Sequence, residues 1–65
     1  MRPGTIRVEP GTRHVLAWCR DCPPWRELRG TRTAALLAAA DHAERCHGDR
    51  AIASDLRERA RDTRT

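Results

Sequence analysis

The chain has no phenylalanine, no tyrosine and no lysine, and only two tryptophans and one methionine among 65 residues. A domain of this size buries only about 60% of the surface that its unfolded chain exposes. Its large apolar side chains are few: Ile6, Val8, Val15, Leu16, Trp18, Trp25, Leu28, Leu36, Leu37, Ile52 and Leu56. With a mean hydropathy of -0.78, a conventional core is too thin to hold the fold, and a further stabilising element is expected. No run approaches the roughly 20 apolar residues of a membrane span, so no membrane association is expected. The opening Met1-Arg2-Pro3-Gly4 offers no apolar stretch for export, which leads to an expected cytoplasmic location. Cysteine is also scarce. Three cysteines cannot all pair within one chain, which argues against a disulfide scaffold.

What the chain does have is Cys19-Arg-Asp-Cys22, followed after nineteen intervening residues by His42 and then by Cys46 and His47. Two ligands from a tight turn and two from one end of a helix are what a tetrahedral structural zinc ion takes. The Trp18-Cys-x-x-Cys run superficially matches a thioredoxin redox motif. Pro23 and Pro24 push Cys22 out of helical geometry, however, and the chain is too short for that fold. One structural zinc is therefore expected, with folding and metal binding as a single event.

The local pattern places these groups. Ile6 to Glu9 and Arg13 to Trp18 alternate as short strands around a Pro10-Gly11 turn, giving a hairpin that runs into the cysteine turn. Trp25 to Leu28 has room for a brief extended stretch. A helix is expected over residues 33 to 47, capped by Thr31 or Thr33 and ended by Gly48. Asp49 can cap a second helix reaching about Asp62, with Ile52, Leu56 and Ala60 at four-residue spacing. Residues 1–48 form the metal-binding domain in this scheme, and residues 49–65 a charged C-terminal helix or tail. The expected fold is a small zinc-stabilised α+β unit with a hairpin and knuckle packed on one main helix. His42 and Cys46, four apart, share a helix face, whereas His47 lies about 100° further round. Cys19, Cys22, His42 and Cys46 are accordingly the preferred ligands, with His47 as the alternative fourth.

A Trp-Cys-x-x-Cys knuckle after a hairpin, then a helix ending in His-Ala-x-x-Cys-His-Gly, resembles the ββα zinc finger of the Cys2His2 and Cys2HisCys type. More narrowly, it resembles the small single-finger proteins of actinobacteria, their phages and mobile elements. The resemblance spans residues 13 to 48. It departs from the usual pattern in the nineteen residues between Cys22 and His42, where about twelve are usual. An extended connector, extra helical turns, or a treble-clef or ribbon-like variant would accommodate them. DNA binding and transcription regulation are what the resemblance implies. Its base-reading positions would fall on Ala35, Ala38 and Asp41, and two alanines make no bidentate base contacts.

The remaining features bear on partners. All 13 basic residues are arginine, set against 9 acidic ones, and the tail interleaves the two signs in Asp55-Leu-Arg-Glu-Arg-Ala-Arg-Asp62, as a solvated helix face does. The run Ala34-Ala-Leu-Leu-Ala-Ala-Ala40 is apolar on every side and needs cover on more than one face. Leu36 or Leu37, in a patch extended by Trp25 and Leu28, is thus expected to meet a partner: the second helix, another copy of the chain, or a different protein. A zinc-binding adaptor or regulatory module acting through protein contacts is the leading expectation. Nucleic-acid binding through Arg57, Arg59 and Arg61 on phosphates is the alternative. No small-molecule substrate is expected. No catalytic set accompanies the ligands, so an enzyme is not expected.

Overall fold

A computed structural model describes residues 5–62. The chain forms strands β1 (Ile6–Pro10), β2 (Val15–Cys19) and β3 (Arg26–Arg29), then helices α1 (Arg32–His47) and α2 (Arg50–Asp62). The strands make one antiparallel sheet in the order β1-β2-β3, a small α+β fold.

Glycine makes the first turn possible. The Gly11 N–H donates to the His14 carbonyl at 2.7 Å, and a Cβ on Gly11 would stand 2.8 Å from that same oxygen. β2 then runs into the cysteine turn, where the Trp25 N–H donates to the Cys22 carbonyl at 2.8 Å. The two prolines inside this turn break any helix and send the chain back as β3. The expected extended stretch at Trp25 to Leu28 is therefore a true third strand, and it takes up most of the extra length between Cys22 and His42.

α1 begins where the Thr31 hydroxyl accepts the Ala34 N–H and ends at Gly48 in the left-handed region with φ 61°. Only glycine takes that conformation without strain. Asp49 follows at once as the cap of α2, its carboxylate accepting the Ile52 N–H at 3.0 Å. These caps answer the orphaned amides at each helix start.

α1 packs on all three strands and on α2. It therefore has two covered faces, which is how a helix this rich in alanine and leucine is accommodated. Its buried residues are Ala35, Leu36, Ala39, Ala40, His42 and Ala43. α2 presents Ala53, Leu56 and Ala60 to the same interior, with Ile52 partly buried beside them. Leu36, expected as a partner contact, is only 1% exposed: the second helix covers it. Leu37, next along the helix, is 47% exposed.

The sheet sorts its side chains by the two-residue period of a strand. Ile6, Ala17 and Cys19 are buried against α1. Trp18 lies between Ala17 and Cys19 and is half-buried on the opposite face, outside the core cluster. An interior position for Trp18 would require Cys19 to turn away from the helix.

Candidate metal centre

Cys19, Cys22, His42 and His47 come together from separate elements. One donor atom from each lies within 4.8 Å of all the others. Cys19 ends β2 with its side chain fully buried, and Cys22 follows in the proline turn, partly buried. His42 is buried on the face of α1 that meets the sheet, and His47 is the last residue of that helix. His47 Nε2 stands 3.4 Å from Cys19 Sγ and 3.7 Å from Cys22 Sγ.

These spacings suit a four-coordinate ion. Bonds of about 2.3 Å to sulfur and about 2.0 to 2.1 Å to nitrogen place tetrahedral donors roughly 3.3 to 3.8 Å apart. The two sulfur–nitrogen distances already fall in that range, and the rest of the group needs to draw in by no more than about 1.5 Å.

His42 supplies an independent indication. Both its ring nitrogens are buried without a hydrogen-bond partner, a costly condition for polar atoms unless something occupies the space they address. The ring is held in place by Trp25, which stacks on it with centroids 4.0 Å apart and planes at 21°. His47 meets His42 edge-on at 5.1 Å. Burial, together with the charge that His47 carries when protonated, moves the His42 pKa below the ordinary 6.5. The neutral, metal-binding form is thereby favoured at neutral pH. Burial and the neighbouring Cys19 raise the Cys22 thiol above 9.0. Metal binding would thus release a proton from that thiol.

The group takes in His47, the alternative fourth ligand, and leaves out Cys46, the preferred one. Cys46 is exposed and lines a shallow groove with Trp25, Asp41 and Arg45, while His47 joins the group. The helical register of Cys46 is suitable, but its short side chain stays exposed in that groove. The longer imidazole of His47 reaches the knuckle across the greater angle.

The other sequence-derived candidates are dispersed. Trp25 is partly buried against the core and the metal group. Arg57 pairs with Glu44 at 2.7 Å and Arg59 with Asp55 at 3.4 Å, while Arg61 is exposed at the end of α2. The stacking of Trp25 on His42 was not foreseen from sequence. The one available signal was the tryptophan just after the proline turn, three residues past a ligand.

No family model, curated protein or solved structure matches this chain. Among the described residues, no helix is long and apolar enough to cross a membrane.

Proposed function

We propose that this chain is a zinc-stabilised binding module in which the metal is structural and the surface does the work. The observation that carries this is the convergence of two cysteines and two histidines from the knuckle and the end of α1. Two thiolates with two imidazoles in a tetrahedron suit zinc above harder cations, which take oxygen ligands. All four positions are filled by protein donors, so no coordination site is left open for a substrate or an activated water. This supports a role as a small adaptor or regulator rather than an enzyme.

Metal content by native mass spectrometry tests the proposal: one zinc per chain is expected. Substitution with cobalt(II) should give the intense visible bands of a tetrahedral site with thiolate ligands. A folded protein that purifies without zinc and shows no such bands would refute it.

Two partner classes suit such a module. A protein partner would use Leu37 on α1, but Leu36 is interior and Leu28, 61% exposed, lies on a different side of the molecule. Nucleic acid suits the sheet, whose central Trp18 stands between Arg7 and Arg26.

A further inference from the structure

Both helices lie on one side of the sheet: α1 packs on all three strands and α2 packs on α1. Among the described residues, no element covers the other face. The strand register sets out what that face displays. Arg7 pairs with Trp18 and Trp18 pairs with Arg26, so a tryptophan on the central strand is flanked by an arginine on each edge strand. Cross-strand neighbours of this kind stand about 5 Å apart. The next row on the same face is Glu9, Leu16 and Leu28. Arg20 follows two residues beyond Trp18.

Four arginines are tied to carboxylates and those of the open face are not, although Arg32, Arg50 and Arg61 on the helices are also exposed and without an ion-pair partner among the described residues. Arg45, Arg57 and Arg59 are paired with acidic residues, as is Arg29 on the inner side of β3. Arg7, Arg20 and Arg26 are exposed and have no ion-pair partner among the described residues. Beyond the second row, a shallow hollow of about 430 Å³ is lined by Leu16, Leu28, Glu9 and Thr12 and bordered by Arg13 and His14. An aromatic ring among unpaired guanidinium groups matches what a single strand presents: flat bases joined by phosphates.

We propose that the open sheet face binds single-stranded nucleic acid, with a base stacked on Trp18 and phosphates held by Arg7, Arg20 and Arg26. A duplex keeps its bases stacked internally and offers none to the tryptophan. The helix of a ββα finger that would enter a major groove presents two alanines and Asp41 at its reading positions and is covered on two faces. This inference rests on the binding-module proposal and names the partner of that module.

The test uses the zinc-loaded full chain and a fluorescein-labelled single-stranded DNA of mixed sequence, about 12 nucleotides long, read by anisotropy. Trp18→Leu should weaken binding about 5- to 150-fold, whereas Trp18→Phe should keep most of it. The Arg7→Gln/Arg26→Gln double variant changes only exposed positions. It should lower affinity and reduce the slope of log affinity against log salt by about 1.4. Arg57→Gln/Arg59→Gln should leave the slope unchanged. The inference is overturned if the zinc-loaded chain does not bind the single strand at low salt. It is also overturned if the Arg7/Arg26 variant binds like the parent, or if a duplex or poly-glutamate of equal charge binds as tightly. Zinc content is measured on every variant. A chain that keeps its zinc but ignores the oligonucleotide refutes this inference alone, whereas a folded chain without zinc refutes the binding-module proposal.

Discussion

Trp25 lies flat on His42, with ring centroids 4.0 Å apart, and so ties the start of β3 to the end of α1 that carries His42 and His47. The contact shields an imidazole whose nitrogens have no other partner. Trp25→Ala should lower the stability of the zinc-loaded protein by about 2 kcal/mol, below the range for a fully buried tryptophan because Trp25 is only partly buried. Trp25→Phe should recover much of that loss. Thermal denaturation of the zinc-loaded variants measures both.

The fourth ligand is decided by a pair of substitutions at adjacent positions. His47→Ala should weaken zinc binding by more than about 100-fold, beyond the effect usual for residues that only support a ligand. Cys46→Ser should leave affinity within a few-fold of the parent. Competition with a chromophoric chelator provides the readout.

Acid should release the metal. His42 has a folded-state pKa below the ordinary 6.5, so the unfolded chain takes up its proton first as pH falls. The stability that depends on neutral His42 is complete above about 6.5 and is lost as pH drops below it. Protonation of the thiolates acts in the same direction. Zinc retention followed between pH 7.5 and 4.5 should decline from about pH 6.5 downward.

The two adjacent leucines of α1 should separate cleanly. Leu36→Ala empties a position between α1 and α2 and should cost about 2 to 5 kcal/mol. Leu37→Glu, on the exposed side, should change stability by no more than about 0.5 kcal/mol. Chemical denaturation of the two zinc-loaded variants checks the contrast.

Much of this architecture was legible in the sequence because the strongest signals are local. Thr31, Gly48 and Asp49 mark helix boundaries through their own backbone chemistry, and both helices lie within a residue of where those marks put them. The knuckle and His42 were legible from ligand type and spacing. The bulk of Trp18 suggests an interior position, but the strand period decides its side. Once Cys19 faces the helix, the pleat turns Trp18 the other way. Cys46 and His47 could not be separated in the same way, because helical register describes direction and says nothing of reach. Which side the knuckle approaches from depends on β3 and Trp25, a tertiary matter that no local pattern carries. Leu36 required knowing that α2 folds back on α1, which the amphipathic spacing of α2 permits but does not dictate.

The central claim is that the metal holds this fold, and adding a strong chelator to the purified protein while recording far-ultraviolet circular dichroism and a thermal melt tests it most directly. The account predicts that chelation abolishes the cooperative transition and most of the helical signal, and that one equivalent of zinc restores both. An apo protein with the same helicity and the same cooperative melt as the zinc-loaded form would contradict it.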